Sequence, residues 1–257
     1  MPGSRARMDF ARDSSFLMHT EPPARFILSV VIPVHNEAVA LGRFLAVLIP
    51  LLEKSYPGQH EVIVVDDGST DGSAQRVGVA TPHVKILSHP ERKGSGAARK
   101  IGSRRAAGEI VVWVDGDGTY APKDVIHLAQ LAVRCDQVIG VRSVDFGRWR
   151  GLRLGVKRAT AKLAGCLWRT PIPDLNSGLR AMRRDRLRVW LEKLPDGFSC
   201  ATTATLAALN HRQRVRFAPI AYHPRDGQSP SKFHPCWDTL RLWRAVGRCW
   251  LQKRLSG

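Results

Sequence analysis

The sequence predicts an α/β fold: a mostly parallel β-sheet with helices on both faces. Three observations point there. Short β-branched apolar runs recur through the first 143 residues. Segments with helical apolar spacing alternate with those runs. The runs are apolar at nearly every position, as strands buried on both faces require.

Phe26 to Glu37, FILSVVIPVHNE, reads as a buried strand that ends in a loop at Pro33, His35 and Asn36. Val39, Leu41, Phe44, Leu45, Leu48 and Leu52 then recur at helical spacing over 38–55, before Pro57 and Gly58 interrupt the chain. Glu61 to Ser73, EVIVVDDGSTDGS, is a second strand with a polar turn, in which Ser69 or Thr70 would cap a helix over 71–79. Val84 to His89 is a third strand. Gly96 to Gly108 reads as a helix with a glycine stop. Glu109 to Gly118, EIVVWVDGDG, is a fourth strand ending in carboxylates, and Gln137 to Ser143 is a fifth. Ligands of open sheets of this kind bind beyond the carboxyl ends of the strands. Those ends carry Glu37, Asp66, Asp67, Asp115 and Asp117.

The chain has 257 residues, enough for one large α/β domain, and its 44% apolar content excludes a disordered chain. The net charge is +18, which implies an anionic partner. The charge is unevenly spread. Residues 1–90 hold eight basic and nine acidic side chains, whereas 148–188 hold twelve and two. Most of these arginines are expected on a solvated face, with some meeting phosphate. Residues 1–25 lack the apolar stretch of a signal peptide and read as a flexible arm. No apolar run approaches the roughly 20 residues of a membrane-spanning helix. Five scattered cysteines without a CxxC pair argue against structural zinc and against a disulfide scaffold.

Asp115 and Asp117 flank Gly116 at a strand end. Carboxylates so placed can share a divalent cation that bridges to a diphosphate, although Asp-Gly is also a common turn. Asp66 can accept hydrogen bonds from a base or ribose edge, with Gly68 allowing a tight turn. Lys93 to Arg99, KGSGAAR, approaches the dinucleotide pattern GxGxxG. Arg99 occupies the third glycine position, and the segment follows the third strand, so that fingerprint fails; no P-loop occurs either.

SVVIPVHNE, EVIVVDDGSTDGS, KGSGAARKIG and VDGDG, in this order and spacing, resemble the large inverting GT-A glycosyltransferase family that contains dolichol-phosphate mannose synthase. VIGVRS, DLNSGLRAMRR (Asp174 to Arg184) and RDGQSPSK (Arg225 to Lys232) resemble its polyprenyl-phosphate branch. The resemblance implies a GT-A domain over 26–232, followed by an amphipathic basic helix over 233–257. It also implies roles for the matched residues. Pro33, His35 and Glu37 would line the nucleotide pocket, and Asp66 would contact the base. Asp115 and Asp117 would hold Mg²⁺ or Mn²⁺, with Thr119 standing where the synthase has a metal-binding Gln. Arg142, Ser177 and Arg180 match positions near the acceptor phosphate or the donor. Arg225, Ser231 and Lys232 match a basic motif that closes over the diphosphate, here with two extra residues. Asp115, Asp117, Arg142 and Arg225 would be the catalytic set.

Many members carry an acidic residue after the GFS segment. Gly197 to Asn210, GFSCATTATLAALN, has none. An ionised phosphate acceptor needs no base, so the missing acid favours one over a sugar hydroxyl. The expected activity is hexose transfer from a GDP- or UDP-linked sugar to a polyprenyl phosphate, with inversion. The alternative within the enzyme class is a saccharide or small-molecule hydroxyl acceptor. A nucleic-acid-binding role is disfavoured, because 148–188 has few aromatics for base stacking and matches no known motif. Residues 238–255 place Arg241, Arg244, Arg248 and Gln252 at helical spacing. They read first as a helix packed on the domain, and second as an interfacial helix with Trp243 and Trp250 at headgroup level. A cytoplasmic protein, peripheral on an anionic membrane face, is the corresponding expectation.

Overall fold

The computed structural model describes residues 27–75, 83–142, 150–224 and 235–255. The first 26 residues, including the expected arm, lie outside it, as does the RDGQSPSK motif.

Seven strands form one sheet in the order β3-β2-β1-β4-β6-β5-β7. They are β1 (Leu28–Val34), β2 (His60–Asp67), β3 (Val84–His89), β4 (Ile110–Trp113), β5 (Gln137–Arg142), β6 (Arg180–Arg183) and β7 (Val215–Ile220). The helices are α1 (Ala38–Ser55), α2 (Ser95–Arg105), α3 (Pro122–Ala132), α4 (Arg150–Trp168), α5 (Arg184–Arg188), α6 (Cys200–Asn210) and α7 (Pro235–Leu255). The five strands read from the sequence are all present. β1 pairs in parallel with β2 and with β4, β2 with β3, and β5 with β7.

The sequence reading lacked β6 and β7. β6 runs antiparallel between β4 and β5. Four residues with Arg at both ends, RAMR, carry no alternation that marks a strand. Arg180 is nevertheless fully buried, because its guanidinium donates to Ser177 O, Ala201 O and Thr205 Oγ1. A buried cation with no carboxylate against it is costly. Burial, and then repulsion from Arg99, push its pKa down to about 10.

β1 and β2 are buried at every position, which explains their unbroken apolar runs. One core layer packs α1 and α3 on one sheet face through Leu41, Leu48, Val125 and Leu128. A second packs α2 and α6 on the other through Ala98, Trp113 and Ala204. A third cluster, with Ala164, Trp168, Leu206, Val246 and Cys249, joins α4, α6 and α7.

The glycines of KGSGAAR have a packing reason. Gly94 sits at φ 110°, and a Cβ at Gly94 or Gly96 would collide with the backbone carbonyls of Pro195 or Asp196. The N–H groups of Gly96 and Ala97 donate to Asp196 O, at 2.7 and 3.1 Å. The loop before α6, not a dinucleotide, therefore meets this helix end. α2 ends at Arg105, ahead of Gly108, whose N–H donates to the buried Ser29 hydroxyl at 2.8 Å.

Candidate active site

Parallel pairing puts the carboxyl ends of β2, β1 and β4 side by side. Two loops there are stitched together. Asn36, at φ 55°, donates its backbone N–H to Ser69 Oγ and accepts the Thr70 N–H on Oδ1. Glu37 N donates to Ser73 Oγ, and Ala38 N to Asp71 Oδ2 at 2.9 Å. α1 has no side-chain cap from its own N-cap residue, so Asp71 supplies one from the neighbouring loop. Ser69 and Thr70 serve this stitch; the helix expected over 71–79 lies largely outside the described residues, which stop at Gln75.

Asp66 and Asp67 are adjacent and differ in environment. Asp67 is buried; its carboxylate accepts from Lys93 N, Gly94 N and His89 Nδ1 at 2.8, 2.7 and 3.1 Å. Burial works against its charge, but these donors outweigh it and hold the pKa below the ordinary value. Asp66 Oδ1 accepts Ser69 N at 3.0 Å, while Oδ2 has no hydrogen-bond partner among the described residues. His35 Nδ1 lies 3.0 Å from Asp67 O, so its ring is tied to the same strand end. Pro33 is buried within β1.

After β4, Asp117 Oδ1 accepts the Thr119 N–H and hydroxyl at 3.1 and 2.6 Å. Thr119, expected as a third metal ligand, is thus bonded to one of the other two. Asp115 is held on two sides. Arg99 Nη2 donates to its Oδ1 at 2.5 Å, and a Cβ at position 178 would collide with its Oδ2. Gly178 is fixed in turn by donating its N–H to Tyr120 Oη at 2.8 Å. Burial raises the pKa of Tyr120 and of Tyr222, whose rings meet edge to face at 5.3 Å.

Arg142 closes β5. Its guanidinium makes two parallel bonds to Asp174, at 2.7 and 2.8 Å, and stands 5.4 Å over the Tyr222 ring. Burial opposes its charge, but Asp174 prevails and raises the pKa well above the ordinary arginine value. Asp174 is therefore an ion-pair partner in this structure.

The structure thus brings together Asp66, Asp115, Asp117, Thr119, His35 and Glu37 along adjacent strand ends, with Arg142 across Tyr120 and Tyr222. Ser177 and Arg180 lie behind this rim, fully buried, where Arg180 grips the Ser177 carbonyl. Arg225, Ser231 and Lys232 fall outside the described residues. Sequence reasoning missed Arg99, Gly178, Tyr120 and Tyr222. Gly178 lies within the DLNSGLRAMRR motif, and in the sequence Arg99 marks only a break in the glycine pattern.

The donor set suits a hard divalent cation. Asp115 and Asp117 offer carboxylate oxygens at one strand end, and Mg²⁺ is commonly held by one or two carboxylates together with substrate phosphate oxygens. Among the described residues no group of three or more His, Cys, Asp or Glu forms a protein-only metal cage.

This fold and its acidic strand-end rim define a GT-A-type glycosyltransferase. The chain belongs to glycosyl transferase family 2, whose profile matches residues 29–191. It is 29% identical over 210 residues to the polyprenol monophosphomannose synthase of Mycolicibacterium smegmatis, covering 77% of each chain. It is 28% identical to the undecaprenyl-phosphate mannosyltransferase of Micrococcus luteus, covering 76% of this chain and 83% of that one. Among solved structures, glucosyl-3-phosphoglycerate synthase from Mycobacterium tuberculosis, in complex with Mn²⁺, UDP-glucose and phosphoglyceric acid, shares the fold. Its TM-score is 0.66 at 21% identity, over 89% of this chain and 79% of that one.

Proposed function

We propose that this glycosyltransferase moves a hexose from a GDP- or UDP-linked sugar to a polyprenyl phosphate, inverting the anomeric centre. The observation that carries the reading is the placement of Asp66 at the end of β2 and of Asp115 and Asp117 after β4, on either side of β1, with no carboxylate anywhere on helix α6. The acceptor class is supported by the names of the two relatives.

Asp66 binds the base or ribose through Oδ2, while Ser69 N holds Oδ1 in place. His35, Glu37 and the stitched loops form the nucleotide pocket. Asp115 and Asp117, with Thr119 orienting Asp117, hold Mg²⁺ or Mn²⁺, which when bound neutralises charge on the leaving nucleoside diphosphate. Arg142, fixed by Asp174, faces the transfer point across Tyr120 and Tyr222. Arg225, Ser231 and Lys232 cover the diphosphate. The acceptor phosphate is ionised near neutral pH, so its oxygen attacks in line without a protein base. Ser177 and Arg180 contribute by shaping the wall behind Asp115.

A lipid-linked acceptor must be met at a bilayer surface. No helix among the described residues is long and apolar enough to cross a membrane. α7 packs inward through Leu242, Val246 and Cys249, and exposes Leu240, Trp243 and Leu251 among Arg244, Arg248 and Arg254. That outer face suits peripheral binding to an anionic surface, with the enzyme on the cytoplasmic side.

The test is a panel of nucleotide sugars offered with undecaprenyl phosphate in detergent. Nucleoside diphosphate release and isolation of a glycosyl phosphate lipid are expected. Transfer to saccharide hydroxyls alone would replace this reading with the other acceptor class.

A further inference from the structure

Arg99 lies in the second turn of α2, under the rim and 4% exposed. Its guanidinium sits 5.7 Å from the centre of the Trp113 ring, and Nη2 donates to Asp115 Oδ1 at 2.5 Å. Its buried Nε has no hydrogen-bond partner among the described residues. Gly178 closes the opposite side of Asp115. The guanidinium on one side and the Gly178 backbone on the other flank the carboxylate, which is 31% exposed, and one positive charge stands inside the donor set.

We propose that Arg99 is a positioning residue that couples cation binding to nucleotide binding: its fixed charge keeps a divalent cation weakly held until a diphosphate supplies balancing negative charge. This rests on the metal-dependent reading above. A cation approaching Asp115 alone meets a guanidinium already bonded to one of that ligand's oxygens. Like charges a few ångströms apart in a partly dry site repel strongly. A diphosphate brings several negative charges to the same place and offsets the repulsion. Linkage makes the effect reciprocal, so the cation must tighten nucleotide binding by the same factor.

The experiment titrates Mn²⁺ into the full chain and follows loss of the free-ion electron paramagnetic resonance signal, with and without saturating UDP or GDP. Wild type should bind Mn²⁺ at least roughly tenfold more tightly with one of the diphosphates. Arg99→Gln should bind Mn²⁺ alone about tenfold more tightly than wild type and lose most of the nucleotide effect. Arg99→Lys, which keeps the charge without the planar fork, should restore weak binding of Mn²⁺ alone. If Arg99→Gln retains its near-ultraviolet circular dichroism yet binds Mn²⁺ alone no better than wild type, Arg99 is only a brace and the inference falls. Equal Mn²⁺ affinity with and without diphosphate in wild type overturns it without any variant. Absence of Mn²⁺ binding under every condition removes the metal-dependent reading as well, which separates the two failures.

Discussion

The strand-end rim and the α4–α6–α7 layer handle charge in opposite ways. On the rim, carboxylates are answered by named donors whatever their depth: buried Asp67 by two backbone N–H groups and His89, half-buried Asp115 by Arg99, and exposed Asp71 by Ala38 and Ser73. In the helical layer, α4 and α6 contain no carboxylate and α7 contains only Asp238. Arg158, Lys162, Arg241, Arg244 and Arg248 there are exposed. Ten basic residues against one acidic residue on α4, α6 and α7 supply half of the net charge of +18, while the chemistry resides in an acidic strand-end edge. Buried charge must be satisfied at fixed geometry, so it builds a rigid site. Exposed charge is screened and non-directional, so it suits a broad anionic partner.

The sharpest way to break this comparison is Asp117→Ala. Transfer should fall below detection with the melting temperature nearly unchanged, and Asp115→Ala should behave similarly in activity. Near-normal turnover by either variant at low metal would take the cation away from the rim. Next in size is Asp67→Ala, which strands three donors and should cost about 3 kcal/mol of stability in a denaturant titration. The same residue predicts a pH dependence. Its folded pKa is lowered, as is that of buried Glu61, where burial is outweighed by Lys85, Ser29 and Ala107. Their stabilisation is complete above the ordinary carboxylate range, near pH 4, and is lost as pH falls through the lowered folded values. Stability that rose on acidification through this window would contradict that assignment.

Asp66→Asn should weaken nucleotide binding by about 1.5–3 kcal/mol, roughly ten- to a hundredfold, and leave the bound reaction less affected. Calorimetry showing unchanged nucleotide affinity would sever Asp66 from the base or ribose. The smallest effects belong to the outer layer. Arg244→Gln and Arg248→Gln should each weaken binding to anionic vesicles by about 1 kcal/mol, less at high salt. Trp243→Ser with Leu251→Ser should remove the salt-resistant remainder. Point substitutions are the right tool, because deleting α7 would uncover Trp168, Ala164 and Leu206. Vesicle sedimentation that ignored all four changes would leave α7 as packing alone.

The sequence by itself determined the first five strands and the acid at the ends of β2 and β4. An unbroken β-branched run followed by Asp is local information, since a strand buried on both faces accepts little else and must end where polar groups reach the rim. β1, β2 and β4 with Asp66, Asp115 and Asp117 were legible for that reason. The tertiary structure alone decided what stands against each carboxylate. Arg99, Gly178 and Tyr120 reach Asp115 only because β4 pairs with β1 on one side and with antiparallel β6 on the other. Arg180 changed from an expected ligand contact to a fully buried brace once α6 was seen to offer it Ala201 O and Thr205 Oγ1. Such pairings join residues tens of positions apart. Their energy comes from desolvation and hydrogen-bond geometry, which no single stretch of chain encodes.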